Sequence, residues 1–484
     1  MLIKCFQITG LVLLMLLTQT IAPSKALAKN EEDIQLPDIG DPADTVLSPS
    51  EEQQLGTIII SQIRSSLNVV DDPELNAYIQ SLGTRLISAG LDSNIEFTFL
   101  LLADPAINAF AAPGGIIAIN TGLMLESENE SELAGVVAHE IAHIKQRHLA
   151  RAYANANKIN LATALGVLAA IAGGFYNPAL GSAALQTTIG AGAQAQLAFS
   201  RANEQEADRI GLMLLANANF DPMGMPDFFE RLHKRTQLNS GPILEFLSTH
   251  PVTLSRISDT KSRAVQYEGP FIKDSISFQY AKARARALTA SPSSITATYE
   301  NAIQKGRIPA PTDQYSYAVA ITRTGDALTA VNFLSRLKKE KNDSLFIDLA
   351  LAQAYIAAGK YGLAHNLLTR LDQIYPNQEV ILYYLAKCQI DMGKPRVALS
   401  TIAKLPQHER HSPKIDTLRA KAAARANLPW ISHEAMANYY IAYGQYGAAM
   451  EQLELALRQA DIDDITQARI RSKRKALREL KKQD

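Results

Sequence analysis

The sequence predicts an α+β domain, a long helix set beside a small sheet, followed by an all-α superhelix of paired helices. Three observations carry that prediction. His139-Glu140-Ile141-Ala142-His143 sits in a stretch whose apolar residues Leu133, Val136, Val137 and Ile141 recur at helical spacing. Apolar runs at residues 95–101 and 116–120 lie on either side of a Pro113-Gly114-Gly115 turn and read as strands. Beyond about residue 275, Gly325, Gly359 and Gly393 recur every 34 residues, with Ala330, Ala364 and Ala398 in the same register.

At the N-terminus, Lys4 supplies a positive charge, residues 8–17 an apolar stretch and Ala26-Leu27-Ala28 a small-residue cleavage box. Residues 1–28 are therefore expected to be a secretory signal peptide. The apolar stretch falls short of the roughly 20 residues that a bilayer span needs; an uncleaved anchor is the alternative. Cys5 precedes the stretch rather than following the cleavage box, so no lipid anchor is expected. Without the leader Cys388 is the sole cysteine, which leaves packing and metal to stabilise the fold. Export with so little cysteine fits a bacterial periplasm. Lys+Arg and Asp+Glu balance at 48 each, which argues against a nucleic-acid partner.

Residues 29–50 are polar and carry prolines, as a flexible segment does. Helical periodicity begins near Glu51 and continues through Ile58, Ile59, Ile60 and Ile63, and a second helix spans roughly residues 72–89. The 110–120 region is expected either to offer a sheet edge on which an extended substrate pairs or to form an ordinary core hairpin. Residues 159–199 combine an apolar run at 161–170 with Gly173, Gly174, Pro178, Gly181 and Gly190. A lid-like helical insertion over the cleft is expected there, with membrane contact as the alternative.

The chemistry centres on the pentapeptide. Residues i and i+4 lie on one helical face, so His139 and His143 can reach one tetrahedral Zn²⁺. Glu140 projects at another angle, where it can take a proton from a water that the metal activates. A third ligand is required, and the best candidate is Glu204 in Ser200-Arg201-Ala202-Asn203-Glu204-Gln205-Glu206-Ala207-Asp208. Asp208, one turn on, can accept an N–H from a ligating imidazole. Glu206 is the competing carboxylate.

Those two motifs stand with Ser248-Thr249-His250-Pro251 and, upstream, Asn108-Ala109-Phe110-Ala111-Ala112-Pro113-Gly114-Gly115. In this order the set resembles the M48 (Ste24-like) family of zinc metallopeptidases. The resemblance implies an α+β zinc-metallopeptidase over residues 51–270 with one Zn²⁺ held by His139, His143 and Glu204. It also implies Glu140 as catalytic base and Asp208 as supporting carboxylate. Pro251 biases His250 towards an extended or loop conformation. Such an imidazole is expected to stabilise the oxyanion, to occupy the fourth zinc position and hold the enzyme off, or to serve structure alone.

Residues 275–484 are expected to form a tetratricopeptide solenoid with a concave binding face. Leu351, Ala352, Tyr355, Gly359, Tyr361, Ala364, Leu368 and Pro376 give its best unit. Gly444 follows Gly393 by one and a half periods, which predicts one additional helix near residues 416–426. The basic residues 469–482 read as a solvated helix end. Repeat-bearing bacterial members of the resembled family imply a periplasmic endopeptidase in outer-membrane quality control. Its substrates would be misfolded or stalled outer-membrane proteins and its partner the barrel-assembly machinery. The alternative is a periplasmic chaperone or adaptor whose repeats carry the function and whose zinc site is vestigial or structural.

Overall fold

The computed structural model describes residues 48–90, 95–155, 201–238, 245–272, 274–340, 344–406, 412–460 and 462–480. The expected signal peptide, residues 29–47 and the expected 159–199 insertion lie outside the described residues. Helix α1 (Pro49–Ser66) opens on a reciprocal cap: the Ser48 hydroxyl accepts from the Glu51 amide, and the Glu51 carboxylate accepts from the Ser48 amide. Helix α2 (Pro73–Ser88) is capped by Asp72, whose Oδ1 accepts from the Leu75 N–H at 3.1 Å.

Strands β1 (Thr98–Leu102), β2 (Ala109–Ala112) and β3 (Ile116–Asn120) form a sheet of order β1-β3-β2. β1 runs parallel to β3 with Leu100 opposite Ala118, and β2 runs antiparallel to β3 with Phe110 opposite Ala118. Phe99, Leu101, Ile117 and Ile119 join the main core, whereas Leu100, Leu102, Ile116 and Ala118 pack with Leu55, Ile59 and Ile63 of α1. Both faces of β1 and β3 are therefore covered, and this is why these strands read as apolar runs rather than alternating ones. Gly114, in the β2–β3 turn, has φ +79°, and a Cβ there would lie 2.6 Å from the Gly56 Cα of α1. Backbone-to-backbone approach of this kind admits only glycine.

Helix α3 (Thr121–Glu126) leads to α4 (Glu130–Lys145), which carries the pentapeptide and starts at Asn129, whose side chain accepts from the Glu132 N–H. Every residue of α4 from Glu130 to Ile144 is buried. Helices α5 (His148–Asn155), α6 (Arg201–Asn217), α7 (Gly224–Leu238), the short α8 (Glu245–Thr249) and α9 (Leu254–Ala264) complete this half. α6 and α7 pack on α4.

Twelve further helices follow among the described residues: α10 (Ile276–Thr289), α11 (Pro292–Gln304), α12 (Pro311–Thr324), α13 (Ala327–Lys339), α14 (Leu345–Ala357), α15 (Tyr361–Ile374), α16 (Glu379–Asp391), α17 (Pro395–Ile402), α18 (Pro413–Arg425), α19 (Pro429–Ala442), α20 (Tyr446–Leu457) and α21 (Asp464–Leu480). Gly325, Gly359 and Gly393 each take a left-handed conformation at the turn between paired helices, with φ of +100°, +70° and +75°. The period continues past the point where glycine stops: Asn427, 34 residues after Gly393, has φ +55° and makes the same turn. The helix expected near residues 416–426 is α18, and it is not an extra one: the Asn427 turn pairs it with α19 in the regular period. The basic C-terminal stretch differs from a plain solvated end. Arg469 pairs with Glu434, Arg474 pairs with Glu454, and Ile470 and Leu477 are buried, so α21 closes the last repeat.

Among the described residues no helix is long and apolar enough to cross a membrane. The repeats pack directly on the sheet-bearing half. α10 and α16 lie against α2, and α19 lies against α1. At the centre of that contact Arg284 of α10 holds both oxygens of Asp72 at 2.7 Å and Glu74 Oε2 at 2.9 Å, with Tyr384 of α16 donating to Glu74 at 2.7 Å.

Candidate active site

α4 presents His139 and His143 one turn apart, and their Nε2 atoms lie 3.0 Å from each other. α6 brings Glu204 from the opposite side, with Oε2 at 3.4 Å from His139 Nε2 and Oε1 at 3.4 Å from His143 Nε2. A tetrahedral Zn²⁺ with bonds of about 2.05 Å places its donors about 3.3 Å apart. The three distances match that spacing. The ordered residues after α8 add His250, whose Nδ1 is 3.1 Å from Glu204 Oε1 and 3.4 Å from His139 Nε2. One donor atom from each of His139, His143, Glu204 and His250 lies within 4.8 Å of all the others, and all four residues are buried.

The surrounding charges fit a dication. Glu140, Glu204 and Asp208 are buried carboxylates of one site, and the buried guanidinium of Arg256 pairs with Glu204 and Asp208. With all three ionised, a doubly charged ion brings the set to neutrality; an uncompensated charge at this depth is costly. Buried imidazole and carboxylate donors suit zinc.

Burial, the imidazoles and the carboxylates set the ionisation of each group. Burial disfavours charge on His139, but Asp208 and Glu204 outweigh it and raise its pKa to about 9. His143 goes the other way. Burial, reinforced by the charge of its histidine neighbours, pushes it well below the usual histidine range despite Glu204. Burial pushes the Glu204 carboxyl up, yet the three histidines hold it far below the usual carboxylate range. Glu140 is raised by burial, against the pull of His250 and His139. Neither Glu140 oxygen has a close hydrogen-bond partner among the described residues; His250 Nε2 is 3.5 Å from Oε1. The Ala111 backbone of β2 also draws the Glu140 carboxyl down slightly, and a buried, raised carboxylate without a full hydrogen bond is the expected form of a general base.

Each expected residue thus finds a place. Asp208 Oδ1 lies 3.0 Å from His139 Nδ1, the atom remote from the donor cluster. Glu206 does not join the cluster: its Oε2 is 3.2 Å from His148 Nε2. Two residues were not anticipated. Arg256 of α9 grips Asp208 through Nε and Nη2, both at 2.8 Å, and reaches Glu204 Oε2 with Nη1 at 2.7 Å. Nothing in the sequence separates it from other arginines until α9 is folded against α6. His148 stands five residues after His143, a spacing that leaves the face of a straight helix. Its Nδ1 is nonetheless 2.9 Å from His143 Nδ1.

The Peptidase family M48 profile matches residues 73–264, and a tetratricopeptide repeat profile matches residues 355–422. The chain is 33% identical over 448 residues to the beta-barrel assembly-enhancing protease of Escherichia coli (strain K12), covering 92% of this chain and 91% of that one. It belongs to the M48 metallopeptidases. The M48 protein of the same description from Yersinia pestis is 31% identical over 470 residues, which is 96% of this chain and 94% of its own. The mitochondrial metalloendopeptidase OMA1 of Schizosaccharomyces pombe is 32% identical over 180 residues, 37% of this chain and 50% of that one. The first two relatives therefore share both halves of this M48 chain, while the third shares a shorter stretch.

Proposed function

We propose that this protein is a periplasmic zinc endopeptidase that degrades misfolded or stalled outer-membrane proteins and assists their assembly. Residues 51–270 would form the peptidase and residues 275–484 the repeats that dock the barrel-assembly machinery. The observation that carries the reading is a buried Glu140, its pKa raised by burial, beside a His139–His143–Glu204 donor set at zinc spacing. Full-length similarity to proteins described as enhancing β-barrel assembly supports the substrate class.

Bound zinc supplies Lewis acidity toward the scissile carbonyl. Glu140 takes the proton of the attacking water and passes it to the leaving amine. Asp208 and Arg256 hold His139 and Glu204 in place from behind. β2 is an edge of the sheet and packs on α4, so an extended substrate adding to it would run across Glu140. His250 takes the fourth donor position in this reading. Its Nδ1 faces Glu204 and His139 together, and its ring stacks 5.1 Å from Phe246 at an interplanar angle of 29°. Occupying that position keeps the site closed until the loop moves.

The deciding experiment incubates the purified protein, loaded with Zn²⁺, with an unfolded outer-membrane protein, with and without a chelator. Cleavage that stops with chelator, and that Glu140→Gln abolishes while still binding zinc, is the expected result. Alanine at His139, His143 or Glu204 should lose zinc and cleavage together. Zinc bound without cleavage, and with the substrate kept soluble by wild type and Glu140→Gln alike, would replace the peptidase with the adaptor reading.

A further inference from the structure

Ligation through Nε2 leaves His139 and His143 each with a proton on Nδ1, and what that proton meets fixes the ring. For His139 the partner is the Asp208 carboxylate. For His143 it is another imidazole. His143 Nδ1 faces His148 Nδ1 at 2.9 Å, and His148 Nε2 lies 3.2 Å from Glu206 Oε2. Two ring nitrogens at hydrogen-bond distance need one proton between them. Resting on the zinc reading above, every position in the chain follows: His143 Nδ1–H donates to the bare Nδ1 of His148, and His148 Nε2–H donates to Glu206.

We propose that His148 and Glu206 are positioning residues for the metal ligand His143, a two-step relay that fixes its tautomer and ring angle from the protein surface. His148 is fully buried, whereas the Glu206 side chain is 39% exposed, so the relay ends in solvent. Arg151 Nη1, 3.9 Å from the same Glu206 oxygen, adds a cation at that end.

The backbone supplies an independent observation. Between α4 and α5, Arg147 adopts φ +50°, a left-handed conformation that residues with a side chain rarely take. That one residue breaks the helix and turns His148 back beneath His143. Arg147 is held there by Glu52 of α1, whose Oε2 is 3.3 Å from its Nε. A strained turn kept in place by a second element is consistent with a demand for this placement of His148.

The test is zinc affinity, measured on the full-length protein by competition for Zn²⁺ with a chromogenic chelator. His148→Leu should bind zinc about 10- to 100-fold more weakly, the range for loss of a ligand's outer partner. His148→Asn places an acceptor oxygen where Nδ1 stood and should recover affinity to within about threefold of wild type. A purely structural histidine would instead lower the melting temperature of the metal-stripped protein and leave affinity unchanged. Leucine binding as tightly as wild type, or folded asparagine binding as weakly as leucine, overturns the relay. If His148→Leu does not fold, Glu206→Ala reads the same chain from its exposed end: weaker zinc binding supports the relay and unchanged binding overturns it. Wild-type protein with no zinc affinity would overturn the metal reading and the relay with it, a result distinct from variants that bind as wild type does.

Discussion

Replacing Arg284 with methionine removes the cation that bonds Asp72 and Glu74 in the contact between the repeats and the sheet-bearing half. The guanidinium is buried and bonds both oxygens of Asp72 and one of Glu74, so the change leaves two carboxylates facing each other out of water. Taking one partner from a buried pair costs about 3–5 kcal/mol. Tyr384 and Gln353 still donate to Glu74, and the Leu75 amide still donates to Asp72, which places the expected loss at the lower end, about 3 kcal/mol. Urea unfolding followed by circular dichroism should show the midpoint falling with little change in slope. The triple variant Arg284→Met, Asp72→Asn, Glu74→Gln removes all three charges, keeps the cap on α2, and should regain most of the loss. A single variant within about 1 kcal/mol of wild type would refute the assignment of this cluster as the join; so would a triple variant no better than the single.

Three other outcomes follow from the same geometry. Burial, with Asp72 adding to it and Arg284 opposing, raises the Glu74 carboxyl from 4.5 to about 7. A raised carboxyl stabilises the fold fully below its unfolded pKa and loses that contribution as pH rises through the folded one. The stability advantage of wild type over Glu74→Gln should therefore shrink between about pH 5 and 8, and a constant gap across that window would contradict the raised value. Arg256→Leu leaves Glu204 and Asp208 without their shared cation, so its stability loss, about 3 kcal/mol or more, should be larger in metal-stripped protein than in zinc-loaded protein; equal losses would mean that Arg256 answers no charge at the metal site. His250→Ala should keep zinc on three ligands and raise basal cleavage of an unfolded protein, whereas a fall in rate would return His250 to the oxyanion role.

Most of the site was legible because its chemistry is spaced by helices. His139, Glu140, His143, Glu204 and Asp208 lie one or four residues apart within α4 and α6, and helical geometry alone places such residues. The repeats were legible for a similar reason: a left-handed turn every 34 residues selects glycine at Gly325, Gly359 and Gly393. The period was lost at Asn427 because asparagine also tolerates that conformation, and composition does not announce it there. β2 escaped as a separate strand because Ala109–Ala112 is short and low in β-branched residues. His148 was hidden by a backbone reversal at Arg147, and Arg256 by a tertiary contact. The continuity of the core was hidden too, since Leu75 and Tyr78 of α2 share one cluster with Tyr315 and Leu351 of the repeats. Amphipathic patterns tell which face of a helix is covered, but not by what.

Arg284 and Arg256 do the same thing in two places, and the difference between them explains what each place is for. Each arginine is buried, grips one aspartate with two nitrogens, and extends a nitrogen to a glutamate. At the join, Arg284 is the one cation bonded to Glu74 among the described residues, and burial carries the carboxyl toward neutrality. At the site, the histidines hold the Glu204 carboxyl down, so it remains ionised. Ionisation is what a metal ligand requires and what a structural hydrogen-bond acceptor does not. The join can relieve its excess negative charge by taking up a proton. The site takes up its proton on His139 instead, whose pKa is raised to about 9, so Glu204 stays ionised, and a dication bound there would displace that proton and keep all the donors.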